Sequence, residues 1–297
     1  MTIEDAVLKI KERYNYDIEL TNIIAKVISG MITYYGEENQ EKIFNTFMDT
    51  PIAFYETQED VANFYKSLGI RNVDLMPGIA SGGFLEKFQL NDANEVERIP
   101  SILIKRPTSM ENDVLDAFYE TIVHECCHAF MNYGKSHFEN GKITTSTGLI
   151  KTKITLSKDD DIVEDEFVNV EEGMTDYDAI VISNLVFGRG KGSKIYDANV
   201  KYVSTLMNDD QLRKIVNSSR ADGDDKWKSI LGTELSDRFL NAFENYYSVF
   251  FGNNLTPEEK EQMKVIAKQE LKQTYNEVLN TISALQQMQE QEISRLM

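Results

Sequence analysis

The sequence predicts an α+β fold, mostly helical, with a small sheet next to one long helix. Three observations carry that reading. Apolar residues recur at helical spacing through residues 18–35 (Ile18, Ile23, Ile24, Val27, Ile28, Ile32) and again through 114–130 (Val114, Leu115, Phe118, Ile122, Cys126, Phe130). The short apolar run Ser101-Ile-Leu-Ile-Lys105, closed by Pro107, has the length and composition of a strand. Residues 141–156 alternate β-branched and polar side chains, as one or two strands do.

In chain order, the first third reads as mainly helical. Helices are expected over residues 5–11 and 18–35, the latter stopped by Gly36, and over 59–68, ending near Gly69. Met76-Pro-Gly-Ile-Ala-Ser-Gly-Gly83 is turn-rich. Ser109 opens the long helix, with Glu111 and Asp113 in its first turn, where negative charge suits the helix dipole, and Gly134 closes it. The acidic stretch Asp159-Asp-Asp-Ile-Val-Glu-Asp-Glu166 reads as a solvated loop leading into a short helix from about Val168. The chain then stays helical to Phe251, broken by a loop around 218–225. Thr256-Pro-Glu-Glu opens a last helix toward Leu296, either packed or free as a partner-binding arm.

At 297 residues the chain exceeds the usual single core and suggests one large domain or two lobes. Hydrophobic residues at 41% and charged residues at 27% exclude a disordered chain. No uncharged apolar run approaches the roughly 18 residues of a membrane span. The start, Met1-Thr-Ile-Glu-Asp, lacks a secretory pattern, so a cytoplasmic location is expected, with signal-free export as the alternative. Adjacent Cys126 and Cys127 cannot staple a fold and suit a reducing compartment. With 31 basic against 49 acidic residues the net charge is −18, which would repel nucleic acid and anionic membrane; it reads as serving solubility, with a preference for neutral or cationic partners as the alternative.

The chain holds 3 histidines, and two stand in His124-Glu125-Cys126-Cys127-His128. Residues four apart share a helix face, so both imidazoles can reach one metal ion. Glu125 lies about 100° round the helix, where it can take a proton from a water activated by the metal. Cys126 points away from His124 and reads, with Cys127, as a small core residue. A third ligand must come from elsewhere. The position six after His128 is Gly134, which excludes the compact three-histidine pattern, and His137 reads as a loop residue. Downstream, Val170-Glu171-Glu172-Gly173-Met174-Thr175-Asp176-Tyr177 offers carboxylates.

Together these segments resemble the gluzincins, the thermolysin-like and aminopeptidase-like zinc peptidases. In that group HExxH is followed on a second helix by a glutamate ligand, written Glu-Gly-apolar-Thr/Ala or Glu-x-x-x-Asp. Both patterns fit Glu172, with Gly173, Met174, Thr175 and Asp176 behind it. The resemblance covers residues 109–178, about a quarter of the chain. It implies a two-lobed zinc metallopeptidase, with Zn2+ held by His124, His128 and Glu172, Glu125 as general base, and a peptide or protein as substrate. The residues themselves support Glu172: it lies four from Asp176, so one can bind metal while the other accepts the N–H of a ligating histidine. Glu171, four from Thr175, is the alternative.

This reading divides the chain into an N-terminal region, 1–108, a zinc-binding catalytic region, 109–254, and a C-terminal helix, 255–297. The competing function is a non-catalytic zinc protein, or a regulator or toxin-like protease with one target. The oxyanion donor is sought among Tyr177, Tyr196, Tyr202, Tyr246 and Tyr247, with Tyr196 favoured because it precedes the helix-like run 200–206. The acidic stretch 159–166 and Asp222-Gly-Asp-Asp225 lack calcium-loop spacing and read as solvated.

Overall fold

Local signals start and stop the N-terminal helices. Thr2 and Asp5 form a reciprocal capping box at the head of α1 (Ile3–Tyr14). Asp17 Oδ1 accepts the Leu20 N–H at 2.8 Å to open α2 (Ile18–Tyr35), the span that the sequence predicts. Gly36 ends it at φ 99°, where a side chain would be strained. Then come α3 (Gln40–Asp49), β1 (Ile52–Tyr55), and α4 (Gln58–Ser67) behind a second capping box of Thr57 and Asp60. The computed structural model describes residues 1–70, 82–90, 96–132, 136–140, 142–155, 162–166, 168–190, 203–204, 207–208, 210–222, 224–251 and 256–296.

β1 joins β2 (Gly82–Leu90) and β3 (Val96–Lys105) in a sheet of order β1-β3-β2. β1 runs parallel to β3, from Ile52↔Ile102 to Tyr55↔Lys105, and β2 antiparallel to it, from Gly82↔Ile104 to Leu90↔Val96. The strand predicted at 101–105 is thus the second half of a longer one that runs through Pro100. Ile102 donates its N–H to Pro51 O at 2.9 Å, on the β1 side. Pro100, two residues back, turns its donorless nitrogen to the same side beyond the end of β1, so no ladder bond is lost.

Part of the predicted turn is strand. Residues 76–81 lie outside the described residues, but Gly82 and Gly83 begin β2. A Cβ on Gly82 would stand 2.6 Å from Thr121 Cγ2 and 2.9 Å from Ile104 Cδ1, so this glycine lets β2 lie against the long helix α5 (Asn112–Asn132). α5 starts three residues later than predicted, because Ser109 Oγ accepts the Glu111 N–H at 3.4 Å in a preceding turn. Gly134, its expected stop, lies outside the described residues.

The chain forms two compact units, Met1–Phe138 with Thr175–Asp197, and Glu139–Met174 with Ala198–Met297. The division falls inside one continuous helix, α6 (Val168–Phe187), which is longer than the short helix predicted. In the first unit α5 packs on β2, β3 and α3, and residues 122–132 are all buried. α2 meets α6 at Gly30, where a Cβ would stand 2.7 Å from Val186 Cγ1 and 2.9 Å from Ile182 Cγ2. Gly188, at φ 63°, closes α6 with the paired bonds Gly188 N–H to Asn184 O and Arg189 N–H to Ser183 O. Arg189 then reaches Asp116 on α5 at 2.9 Å. β4 (Ser136–Glu139) is short and exposed.

In the second unit β5 (Lys142–Thr147), β6 (Ile150–Thr155) and β7 (Ile162–Glu166) form an antiparallel meander. The acidic stretch is therefore not all loop: 156–161 lie outside the described residues, while 162–166 are strand. In the register of β6 and β7, Lys151 pairs with position 166 and Lys153 with Glu164, and Thr152 Oγ1 donates to Asp165 Oδ1 at 2.6 Å. The predicted loop at 218–225 is helical instead, covered by α7 (Asp210–Asp222) and α8 (Asp224–Leu231) with residue 223 undescribed. Ser219 and Arg220 are fully buried there, which a solvated loop would not provide. α9 (Thr233–Phe251) and α8 pack on α10 (Pro257–Leu296), which buries Ala267, Leu271, Thr274, Val278 and Ile282, so the last helix is packed. Among the described residues no helix is long and apolar enough to cross a membrane.

The Gly30 contact gives a direct test of α2–α6 packing. In an unhindered helix alanine is worth about 1 kcal/mol over glycine. Here Gly30→Ala is expected to reverse that sign and cost about 1–3 kcal/mol by overpacking, read as a lower midpoint of urea unfolding. An unchanged or raised midpoint would mean that the two helices are not in this contact.

Candidate metal centre

One line of α5 is polar although the helix around it is buried. Asp116, Glu120, His124, His128 and Asn132 follow each other at intervals of four, and all five are buried. Steps of four drift by about 40° each, so the line curls slowly round the helix. Buried polar groups need partners, and the ends of the line have them. Asp116 accepts from Arg189, and Asn132 Nδ2 donates to Glu86 Oε2 on β2 at 2.9 Å. Glu86 in turn pairs with Arg98. The sequence reading took only the two histidines from this line, although the four-residue recurrence of polar types on an apolar helix was there to be seen.

The histidines occupy its middle. Their rings stand edge to face with centroids 4.7 Å apart, and the two Nε2 atoms are 3.0 Å apart. Asp176 Oδ1 on α6 lies 3.5 Å from His124 Nδ1. A carboxylate there favours the proton on Nδ1 and leaves a lone pair on Nε2. Two imidazole nitrogens bound to one tetrahedral zinc would lie about 3.3 Å apart, close to the separation found. Glu172, half-buried and one helical turn before Asp176, completes the group: one ligand atom from each of His124, His128 and Glu172 lies within 4.8 Å of the others. Among the described residues no other group of three or more His, Cys, Asp or Glu side chains meets the same test. Two imidazoles and one carboxylate fit a divalent ion, zinc included, and the donor set alone does not select zinc from its neighbours.

Glu125 stands beside this group without belonging to it. It is buried, and its Oε2 accepts the Phe84 N–H at 2.6 Å. Phe84 pairs with Ile102, whose own N–H points away from β2, so the Phe84 N–H likewise points away from β3, off the edge of the sheet. One carboxylate oxygen is thereby fixed, leaving Oε1 as the second.

Glu171, the alternative ligand, is committed elsewhere. It is fully buried against an equally buried Arg220: Nε lies 2.9 Å from Oε1 and 3.1 Å from Oε2, and Nη2 lies 2.6 Å from Oε1. Leu149 adds its N–H to Oε2 at 2.9 Å. These bonds occupy both Glu171 oxygens, and of the two adjacent glutamates it is Glu172 that groups with the histidines. Nothing in the spacing of the sequence pointed to Arg220.

The remaining candidates sort by position. His137 is exposed on β4 and lies outside the group. Cys126 and Cys127 are buried free thiols, and burial, with Cys127 and Glu125 beside it, pushes the Cys126 thiol well up, away from the thiolate that a metal needs. Tyr177 is half-buried on α6 and Tyr246 is buried on α9. Tyr196, Tyr202 and the side chain of Tyr247 lie outside the described residues. A feature not foreseen is Asp178, fully buried, which accepts from Tyr34 Oη at 2.5 Å and from Tyr35 Oη at 2.8 Å. The Tyr35 ring packs on Phe130 of α5 with centroids 4.8 Å apart. The end of α2 thus braces α6 within two residues of Asp176.

Comparison with known proteins returned no match: no family model, no curated protein and no solved structure is significantly similar to this chain. The resemblance to gluzincins therefore rests on the two motifs and on the chemistry of these residues.

Two substitutions separate the adjacent glutamates. Glu172→Ala is expected to weaken zinc binding more than any other single carboxylate change. Glu171→Ala strands the buried Arg220 charge and is expected to cost about 3–5 kcal/mol of folding stability. Asp176→Ala should lower zinc affinity by about 10- to 100-fold, as loss of a partner to a ligating histidine does. Dye-competition titrations and thermal melts read all three. A severe melt defect for Glu172→Ala with unchanged zinc affinity would exchange the two roles.

Proposed function

We propose that this protein is a zinc-dependent, gluzincin-like metallopeptidase. The observation that carries the reading is the convergence of His124, His128 and Glu172, with Glu125 next in sequence to the first ligand. The two-lobed architecture of that group is part of the proposal, supported by a small sheet packed on the motif helix and by a second helix bearing the carboxylate.

A bound zinc ion would supply Lewis acidity at the scissile carbonyl and make a water acidic enough to lose a proton near neutral pH. The chain's own residues do the rest. His124, His128 and Glu172 would hold the ion. Asp176 keeps His124 in the tautomer that binds through Nε2. Glu125 takes the proton from the attacking water on Oε1 and returns it to the leaving amine, while the Phe84 N–H steadies its other oxygen. β2, as an edge strand beside that base, gives an extended peptide backbone a template for pairing.

A second reading keeps the metal but not the turnover. It is favoured by one observation, the bond from Phe84 to Glu125, which gives that carboxylate a structural task as well. Glu125→Gln separates the two, because an amide oxygen still accepts the Phe84 N–H but cannot act as the base. Purified without chelator, the protein is expected to hold about one zinc per chain. Glu125→Gln should keep that content and lower cleavage of a diverse peptide mixture, followed by mass spectrometry, by orders of magnitude. Cleavage at the parent rate would exclude Glu125 as base. Zinc binding with no cleavage by either protein would favour the second reading.

A further inference from the structure

We propose that Arg220 is a positioning residue for the metal centre: by gripping Glu171 it fixes the first turns of α6 and so aims Glu172 at the two histidines. The inference rests on the metal-binding part of the reading above and needs no peptidase activity.

Glu172 is the fifth residue of α6, and Glu171, Met174 and Thr175 around it are fully buried. A carboxylate whose direction is fixed beforehand binds an ion better than one that binding must first order. The preceding residue contributes to that order. Glu171 points about 100° away and meets three constraints from other parts of its unit. Arg220, from α7, grips both its oxygens. The Leu149 N–H, at the tip of the β5–β6 hairpin, adds a further bond at 2.9 Å. Gly148, at φ 61° in the same turn, comes so close that a Cβ there would lie 2.1 Å from the carboxylate. Arg220 is itself held, with Nη1 donating to Asn217 Oδ1 at 2.9 Å.

Stability alone does not account for this arrangement. Two well-packed apolar side chains commonly stabilise an interior as well as a buried ion pair does, or better. They would lack the directional bonds that hold one turn of helix in one register. Fixing Glu171 on one side of that turn fixes the direction in which Glu172 leaves it on the other.

The experiment is a double-mutant cycle on zinc affinity, measured by dye competition at a temperature where every variant is folded by circular dichroism. Arg220→Met is expected to weaken zinc binding about 10- to 100-fold. In a Glu172→Ala background the same change should add nothing, since it acts through a ligand already gone. With cobalt in place of zinc, the visible spectrum of Arg220→Met should move toward that of Glu172→Ala. Gly148→Ala presses on the Glu171 carboxylate while keeping both charges, so it tests the same link if Arg220→Met does not fold, with the same loss expected. Wild-type zinc affinity in folded Arg220→Met or Gly148→Ala, or a loss that adds in full to that of Glu172→Ala, would overturn the inference and leave the pair a purely structural one. If the parent protein binds no zinc and Glu172→Ala changes nothing, the metal centre itself is wrong and this inference falls with it. Tight binding by the parent, lost in Glu172→Ala but kept in the other variants, overturns the positioning role alone.

Discussion

The constraint on which the rest depends is the burial of carboxylates on α6. Glu171, Glu172, Asp176 and Asp178 fall within eight residues, and three of the four are 2% exposed or less. Charges taken out of water at that density cost several kcal/mol each unless every one is answered. Each has a different answer. Glu171 has Arg220, Asp176 faces His124, Asp178 accepts from two tyrosine hydroxyls, and Glu172 stands with the imidazoles. The helix can keep this composition only while all of its neighbours hold their places. Within the first unit Tyr34 and Tyr35 of α2 and His124 of α5 face α6, and within the second Arg220 of α7 and the Leu149 N–H do.

Close approach is the second requirement, and glycine meets it at several contacts. Gly30 lets α2 reach α6, Gly82 lets β2 lie on α5 one turn before Glu125, and Gly148 lets a hairpin tip touch Glu171. At Gly82 and Gly148 the missing Cβ brings a backbone near enough for a directional bond to form beside it. The Gly82 contact matters most for chemistry, because Phe84, two residues on, is the donor to Glu125. Helix, strand and base are thus tied by a side chain that is not there.

Much of the fold was legible where periodicity and caps agree. α2 could be read to its end residues, because Asp17 and Gly36 bracket an unbroken apolar stripe. The errors share a cause: local composition was overruled by partners distant in sequence. Acidic 162–166 looks like a loop until Lys151 and Lys153 stand opposite it. Residues 218–222 look polar and mobile until Arg220 is buried against a glutamate 49 positions away. Gly82 looks like part of a turn until α5 needs it small. The site followed the same division. His124, Glu125 and His128 are fixed by spacing within one helix, and the relation of Glu172 to Asp176 by the same rule. The commitment of Glu171 to Arg220, which decides between two adjacent glutamates, lies in no local pattern.

With no similar protein to lean on, the functional reading stands on what these residues can do, and Glu125 carries the decision. Two histidines and a carboxylate facing one ion are not peculiar to hydrolysis. The same donors with open positions also suit iron in oxygen-activating sites, and affinity alone would rank copper and nickel above iron. A site for electron transfer needs no carboxylate held one residue from a ligand, with one oxygen tied and the other left. Hydrolysis does, because a proton must leave the attacking water and arrive at the leaving group, and a base with a fixed position serves both steps. A surface site built only to bind would as readily carry an alanine at that position. Glu125 is instead buried, oriented by a strand edge, and set beside His124, His128 and Glu172 rather than among them. Its placement is therefore stronger support for metal-assisted hydrolysis than the ligand set itself.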